Sequence, residues 1–298
     1  MLEMCSKQIR VEGRLVRIAR LEGELYVSLN DPEAVLQCLR NSGEHVDLFT
    51  FMQMLPDTTP KHNFPMEWDN VAALEISTFD HWWKEQLGKK TRNMARHAEK
   101  KGVTLREVSF DDVLVRGIWE IYNECPIRQG RRFLHYGKDF ETVRRMTATF
   151  LDRSIFIGAF FEEKLIGFIK LTANDRGTQA GFMYILSMAK HRDKSPTNAL
   201  IAEAVRSCAK RGIPYLLYSN FVYGKRQKDS LMEFKERNGF RRIDLPRYYV
   251  PITRLGHIAL RLGLHQSLVS HLPESMLAKV RELRTAWYKR KFRLEEAI

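Results

Sequence analysis

Three apolar segments separated by turn sequences lie in the middle of the chain and predict a meander of strands. The segments cover residues 155–161, 165–173 and 180–187. Glu162-Glu-Lys and Asn174-Asp-Arg-Gly separate them, and such polar and glycine-containing stretches are typical of turns. We therefore expect three consecutive antiparallel strands.

Helical and strand patterns alternate after this meander. Apolar residues recur at helical spacing over 195–211, and Gly212 ends the pattern. A strand is predicted at 215–219, a helix at 229–238 and a last strand at 240–250. The order β-β-β-α-β-α-β contains a strand–helix–strand unit, which implies a parallel pair joined by a right-handed crossover. The sequence therefore predicts an α/β fold, a mixed sheet with helices on both faces.

The flanking regions predict smaller elements, so we divide the chain into three parts. The first is an N-terminal α+β region at 1–77, which begins with a predicted hairpin at 9–29. The second is a central α/β domain at 78–252. The third is a C-terminal helical and basic extension at 253–298, in which two helices are predicted.

The charge balance indicates an anionic partner. The formal net charge is +13, which suits a phosphorylated substrate, RNA or an anionic membrane surface. The alternative is a soluble protein that is merely basic.

The cysteines and the apolar runs favour the cytoplasm. Cys5, Cys38, Cys125 and Cys208 are scattered and form no Cys-x-x-Cys pair, so we expect free thiols in a reducing compartment. We expect no signal peptide and no segment approaching the ~20 apolar residues that span a bilayer. The histidines show no metal-binding spacing, so no metal is expected.

A basic segment precedes the helix predicted at 195–211. Its sequence, Lys190-His-Arg-Asp-Lys, is followed by Ser195, a good N-cap, and by Pro196, which suits the first helical position. A helix N-terminus offers unpaired N–H groups and partial positive charge, and the flanking cations add charge-assisted contacts. This segment is a candidate anion site. The alternative is an exposed, solvated loop.

Three stretches in this order resemble those of one protein family. They are "KKTRNMARHAEKKGV" from Lys89, the Ser195-Pro196 helix start followed by "AEAVRSCAKRGIPYL", and "LMEFKERNGF" from Leu231. Together with the β-β-β-α-β-α-β order they resemble the GNAT superfamily of acyltransferases, and within it the Fem-type aminoacyl transferases and their single-domain relatives. The resemblance covers about residues 80–250 and implies a GNAT-like fold. Residues 1–77 would then be a reduced second GNAT half.

The resemblance implies a donor site around the basic segment. An acyl-CoA or an aminoacyl-tRNA would place its phosphates there, and no other cofactor is implied. The residues expected at this site are Leu186, Met188, Lys190, Arg192, Lys194, Ser195, Thr197 and Asn198. The glycines of the usual Gln/Arg-x-x-Gly-x-Gly/Ala loop are absent from "HRDKSPTNA".

The resemblance also implies the catalytic groups. Lys235 in "MEFKERNGF" is expected to face the donor and stabilise an oxyanion or phosphate, although it could be a solvent lysine at a helix end. Tyr218 and Tyr223 are expected near the splayed end of the sheet, where a phenol could protonate a leaving group. Both could instead be packed tyrosines. Tyr184, Ser219 and Asp193 are further candidates for proton transfer.

Basic residues elsewhere are candidates for binding the acceptor, an amine that could be phosphorylated or nucleotide-linked. They are Lys89, Arg92, Arg96, Arg128, Arg131 and Arg132. A solvated charged face is the alternative. Trp82 and Trp83 could stack on a base or belong to the core. Basic residues of 276–293 could contact an anionic membrane, or this helix could cap the domain.

The sequence thus predicts an acyltransferase. It would move an acyl or aminoacyl group from a phosphate-bearing donor to an amine by direct attack in a ternary complex. The alternative is a catalytically inactive GNAT-like module that binds RNA or a nucleotide-linked ligand, which the missing glycines favour.

Overall fold

A single mixed sheet of eleven strands organises the molecule. The computed structural model describes residues 2–4, 7–128, 131–223, 230–266 and 274–291. In the sheet, strand neighbours follow the order β1-β2-β3-β4-β13-β5-β12-β11-β10-β9-β6, and β7 and β8 form a separate two-stranded ribbon. The strands are β1 (Leu2–Met4), β2 (Lys7–Glu12), β3 (Ile18–Leu21), β4 (Leu48–Met52), β5 (Met66–Glu75), β6 (Thr104–Val108), β7 (Ile127–Arg128), β8 (Arg131–Arg132), β9 (Ser154–Phe161), β10 (Lys164–Ala173), β11 (Gln179–Ser187), β12 (Tyr215–Leu217) and β13 (Arg241–Pro251).

Helices cover both faces of the sheet, as the sequence predicts. They are α1 (Pro32–Asn41), α2 (Phe79–His81), α3 (Lys89–Lys100), α4 (Asp112–Asn123), α5 (Phe140–Thr147), α6 (Pro196–Lys210), α7 (Ser230–Arg237), α8 (Arg254–Arg261) and α9 (Glu274–Lys291). A π-helical turn, Trp82–Gln86, follows α2. Asp31, Asp111 and Asp139 cap α1, α4 and α5, because their carboxylates accept a backbone N–H of the first turn.

The central part of the sheet has the predicted order of elements. Strands β9, β10 and β11 form an antiparallel meander, and β11 pairs in parallel with β12 after the α6 crossover. Apolar side chains of α6, among them Leu200, Ile201 and Val205, are completely buried against this part of the sheet and α3. Each such side chain stabilises the fold by roughly 1.5–3 kcal/mol through removal of apolar area from water.

The opposite face of the meander is covered by α4 and α5. Ile118, Ile121 and Tyr122 of α4 are completely buried and pack in one cluster with Phe168 of β10. Their i, i+3, i+4 spacing gives α4 one apolar stripe, so the helix has a defined side to bury.

The N-terminal region contributes strands to the same sheet. β5 lies between β12 and β13 and pairs antiparallel with both. Arg247 of β13 connects the last strand to the N-terminal region, because its guanidinium forms ion pairs with Glu24 at 2.6 Å and Asp69 at 2.8 Å. The division of the chain at residue 77 stays a prediction, and the topology adds that β5 is an interior strand of the sheet.

The hairpin predicted at 9–29 has different bounds in the structure. The hairpin pairs β2 with β3, and residues 25–29 form no strand. The chain turns after Gly13, where φ is +98° and a Cβ would lie 2.0 Å from the Val16 carbonyl oxygen, so only glycine fits. Residues 13–17 therefore form the turn between β2 and β3.

The prediction of four free thiols is wrong, because Cys38 in α1 is disulfide-bonded. Cys125 and Cys208 are free, and burial raises the pKa of the Cys208 thiol to about 12, which suits a core residue. The prediction for Cys5 lies outside the described residues. A structural disulfide is unusual in a reducing compartment, so the cysteines no longer support a cytoplasmic location. Within the described ranges, no helix is long and apolar enough to span a bilayer.

Candidate functional site

The parallel strands β11 and β12 separate to form a fork. They pair only where Gln179, Ala180 and Gly181 meet Tyr215, Leu216 and Leu217. β11 then continues for six residues to Ser187 along β10, a length of about 20 Å. Over the described residues, no strand pairs with β11 on its β12 side beyond Gly181. The fork is thus an opening in the sheet with one long, unpaired strand edge.

Aromatic rings close the base of the fork. The Tyr218 ring lies edge-on to Phe182 with their centroids 5.2 Å apart, and it meets Phe240 in the same way at 5.7 Å. Ser219 follows with φ of +51°, a left-handed conformation that turns the chain sharply away from β12. The Ser219 carbonyl accepts the Ala72 N–H at 2.8 Å, which holds this turn against β5.

Lys235 of α7 is completely buried beside these rings. Its ammonium donates to the Asn220 carbonyl and lies 5.0 Å from the Tyr218 ring centroid and 4.8 Å from that of Tyr223. Cation–π attraction to two rings stabilises a charge that burial would otherwise disfavour. The structure therefore brings together the three residues that were predicted to be catalytic.

The neighbouring groups fix this arrangement. The Trp82 indole N–H donates to the Asn238 carbonyl at 3.1 Å, at the turn that ends α7. Trp82 is 1% exposed, so the hypothesis that it stacks on a base is wrong, because it is a core residue. Gly239 in this turn has φ of +87°, and the Trp82 indole lies directly over it. Packing at this turn sets the position of Lys235 a single helical turn away.

Tyr218 and Tyr223 differ in accessibility. Burial, and then the nearby Tyr223 phenol, raise the pKa of Tyr218, so its phenol stays neutral and is a weaker acid than a solvated tyrosine. Tyr223 is 39% exposed and so reaches the open side of the cluster. The pair thus combines the half-buried Tyr218 ring, which contacts Lys235, with the accessible phenol of Tyr223.

The basic segment forms a short 3₁₀ helix, Ala189–Lys194, at the far end of β11. Pro196 occupies the first turn of α6 as predicted. The predicted N-cap bond of Ser195 is not formed, because the residue is left-handed (φ +53°) and its side chain makes no capping hydrogen bond. Its side chain lines a cleft instead.

This cleft has a volume of about 570 Å³ and lies between the basic segment and α3. Its lining residues are Lys89, Lys90, Asn93, Met94, His97 and Ser195. His97 Nε2 lies 3.1 Å from the Asp193 carbonyl oxygen, which ties α3 to the basic segment. Lys89 was predicted to bind the acceptor and Ser195 the donor. Both line one cleft, and their roles in binding stay predictions.

Glu124 at the end of α4 holds the start of the basic segment, and no sequence signal indicated it. Its carboxylate accepts the backbone N–H of Ala189 at 2.7 Å and of Lys190 at 3.0 Å. These N–H groups directly follow β11 and would otherwise be available to bind a phosphate. Glu124 also pairs with Arg128 at 3.2 Å. The segment is therefore fixed internally, and its first two amides are occupied.

Three predicted binding residues make contacts within the fold, and their binding roles stay predictions. The Arg128 guanidinium donates to the Ser187 and Ile121 carbonyls as well as to Glu124. Arg92 donates to the Lys84 and Leu87 carbonyls and thereby ends the π-helical turn. Met188 is 3% exposed, and its N–H donates to the Ile166 carbonyl.

The other donor-site candidates are not among the residues that line the cleft. Lys190 and Arg192 are exposed, whereas the Lys194 ammonium lies 4.6 Å from the Phe161 ring centroid and 3.3 Å from Asp193. Leu186 packs with the α4 cluster. The Thr197 hydroxyl lies 2.9 Å from that of Ser187. Asn198 is 6% exposed.

The remaining candidates lie outside the cluster around Lys235 and do not line the basic cleft. The guanidinium of Arg96 lies over the Trp83 ring at 5.6 Å. Arg131 and Arg132 form β8 of the separate ribbon and are exposed. The Tyr184 hydroxyl donates to the Met146 carbonyl at 3.4 Å, on the α5 face. In the part of the chain that the structure describes, no group of three or more His, Cys, Asp or Glu side chains could hold a metal ion.

Solved structures share this architecture. The C-terminal domain (DUF2156) of an assigned lysylphosphatidylglycerol synthetase from Agrobacterium fabrum is 13% identical, with 85% of this chain and 83% of that chain covered and a TM-score of 0.55. FemX is 9% identical, with 80% and 83% covered and a TM-score of 0.57. L-PGS from Bacillus licheniformis is 14% identical, with 85% and 83% covered and a TM-score of 0.57.

The chain has a GNAT-like fold. The resemblance to the Fem-type branch is thereby confirmed for the architecture, and sequence identities this low establish the fold alone. No protein-family model matches the chain, and no curated protein matches it.

Proposed function

We propose that this protein is an acyltransferase whose reaction centre is the base of the fork. An acceptor amine attacks the carbonyl carbon of the donor, and a C–N bond forms. The C–S bond of a thioester or the C–O bond of an ester breaks. The amine loses one proton, and the leaving thiolate or ribose oxygen gains one.

The buried Lys235 ammonium beside an open strand edge carries this proposal. Negative charge develops on the carbonyl oxygen during acyl transfer, and a fixed cation in a water-poor site stabilises it more than the same cation would in water. The β11 edge offers unpaired backbone groups along which an extended donor can lie. The Tyr223 phenol is accessible at the same place and suits protonation of the leaving group.

The basic cleft suits the phosphates of the donor. It lies at the outer end of β11, about 20 Å along the strand from the base of the fork. A long donor could therefore bind with its phosphates at Lys89 and Lys90 and its acyl group at the fork. Since Glu124 occupies two amides of the basic segment, the lysine side chains rather than a backbone cradle would hold these phosphates. This favours the dispersed charge of an aminoacyl-tRNA over the pyrophosphate of coenzyme A.

Titration with acetyl-CoA, free coenzyme A and charged tRNA tests the proposal. The variant is Lys89→Ala with Lys90→Ala, and the matched control is Lys100→Ala with Lys101→Ala at the other end of the same helix. We expect the first pair to weaken donor binding by on the order of tenfold at low salt and the control to have little effect. A transfer assay with the bound donor and an amine acceptor follows.

Binding of neither donor, or equal weakening in both variants, would contradict the cleft assignment. The inactive RNA-binding module is the second candidate, and the occupied amides and missing glycines favour it. It predicts salt-dependent binding of uncharged RNA with no transfer to any amine.

A further inference from the structure

The C-terminal helix α9 presents an apolar stripe to solvent. Met276, Val280, Leu283 and Trp287 recur at i, i+4, i+7 and i+11, and each is between 52% and 72% exposed. At 100° per residue, they fall within about 60° of the helix circumference and extend over about 17 Å. The stripe is contiguous, and such exposed apolar faces mark interaction sites.

α9 packs beside β8 of the two-stranded ribbon. Arg284 and Tyr288 lie about 70° and 110° around the helix from the centre of the stripe and are half-buried. Each of the four stripe residues is more exposed than these two.

Basic residues border the stripe on both sides. Lys279 and Arg290 are exposed along one edge. Arg284, which is half-buried, lies on the other side of the stripe, and the neighbouring β8 carries the exposed Arg131 and Arg132. Glu282 lies about 135° away from the stripe. An exposed apolar stripe bordered by cations, with a tryptophan at one end, is typical of a helix that lies in the plane of a membrane surface.

The preceding helix repeats this combination. Three apolar residues are exposed here: Leu255 (41%) and Ile258 (52%) on α8, and Leu262 (66%) directly after it. Arg254 and Arg261 lie exposed on the same short helix. Its opposite side is anchored, since Ala259 is completely buried against Val16, Ile18 and Leu48.

We propose that α9 docks this protein onto an anionic phospholipid surface, with the stripe in the acyl boundary and the bordering cations at the headgroups. We choose an anionic surface as the partner because the cations that border the stripe complement its negative charge. A second copy of the chain on the same stripe would bring Lys279, Arg290 and their counterparts together, and like charges in contact are unfavourable. This surface is separate from the proposed transfer site, and the inference does not depend on that function.

Sedimentation of the full-length protein with vesicles tests the inference, without donor or acceptor. The vesicles are phosphatidylcholine alone and an equimolar mixture of phosphatidylcholine and phosphatidylglycerol. We expect binding to the anionic vesicles only, with a decrease as salt rises. Trp287 emission should shift to shorter wavelength on binding, and the shift should vanish in Trp287→Phe while binding persists.

Two variants and two matched controls locate the surface. Leu283→Asp with Trp287→Asp, and Lys279→Glu with Arg290→Glu, should each weaken partitioning by on the order of tenfold or more. The controls, Leu15→Asp, at a residue that is 90% exposed elsewhere, and Lys100→Glu with Lys101→Glu, should bind as the wild type does.

Absence of binding to anionic vesicles, or equal binding to both kinds, would overturn the inference. So would a dimer in analytical ultracentrifugation that Leu283→Asp dissociates, because the stripe would then be a contact between copies. All substituted residues are exposed, and circular dichroism verifies that each variant is folded.

Discussion

Lys170 of β10 and Lys235 of α7 are both completely shielded from solvent, yet their surroundings differ. Lys170 donates to the Thr147 carbonyl at 2.9 Å and to the Thr149 carbonyl and hydroxyl, at the C-terminal end of α5. Its ammonium thus satisfies carbonyls that the helix leaves unpaired, in the negative field of the helix end. Lys235 instead lies between two tyrosine rings at an opening in the sheet.

The difference shows that burial of a lysine does not by itself indicate function. Lys170 is completely buried, and its ammonium donates to oxygens of Thr147 and Thr149 and lies 5.7 Å from the Phe156 ring centroid. Lys235 has an accessible tyrosine beside it and an unpaired strand edge nearby. What distinguishes the two sites is access for a reacting molecule, so variants at both positions separate stability from catalysis.

The largest expected effect is on turnover. Lys235→Met should lower kcat by on the order of 10²–10³-fold, because the cation that stabilises the developing oxyanion is lost. Lys170→Met is the matched control, and its kcat per folded molecule should stay near that of the wild type. A transfer assay combined with thermal unfolding of both variants measures this. Equal losses of kcat in the two variants would remove the proposed role of Lys235.

The next effect concerns the accessible phenol. Tyr223→Phe keeps a ring beside Lys235 but removes the hydroxyl, so kcat should fall by on the order of 10²-fold if the phenol protonates the leaving group. The loss should be smaller with a donor whose leaving group is more acidic. Tyr136→Phe, at another exposed tyrosine, is the control and should be neutral. An unchanged kcat in Tyr223→Phe would leave the cluster without a proton donor at this position.

The smallest expected effect is on the pH dependence of the free energy of unfolding, and it arises from Lys170. Burial lowers the pKa of Lys170 from 10.5 to about 8. Below pH 8 both the folded and the unfolded state bind the proton, and the cost of the buried charge is fully present. Between pH 8 and 10.5 the unfolded state binds more protons, so this group makes stability rise with pH, by about 2 kcal/mol from pH 8 to 10.

Urea unfolding at several pH values measures this contribution. The raised pKa of Cys208 opposes it above pH 9, so the relevant quantity is the difference between wild type and Lys170→Met. We expect that difference to change by about 2 kcal/mol between pH 8 and 10. A difference that is constant with pH would mean that Lys170 is not charged at a cost in the folded protein.

The sequence predicted the order of elements in the centre of the chain because each has a local signal. Gly212 and Gly239 end two helices, and apolar runs mark β9, β10 and β11. The grouping of Lys235 with Tyr218 and Tyr223 came from the family resemblance, since periodicity says nothing about residues that meet across a turn. The geometry agrees with that grouping, and the catalytic roles stay predictions.

The contacts that the sequence did not predict are those between distant residues. Glu124 binds amides about 65 positions along the chain, and nothing near it in sequence marks that role. Charge runs predicted ligand contacts for Arg92 and Arg128, and both side chains donate to carbonyls within the fold. A cation near a helix or strand end is equally suited to either partner, and only the folded geometry decides between them.

The position of β5 has a consequence for how the protein acquires its fold. β5 is synthesised early, but its partners β12 and β13 follow about 140 and 170 residues later. During translation both edges of this strand therefore remain unpaired until nearly the whole sheet has been synthesised. Such long-range pairing folds slowly and exposes strand edges to aggregation. The nascent chain is therefore expected to depend on chaperones more than the compact meander alone would.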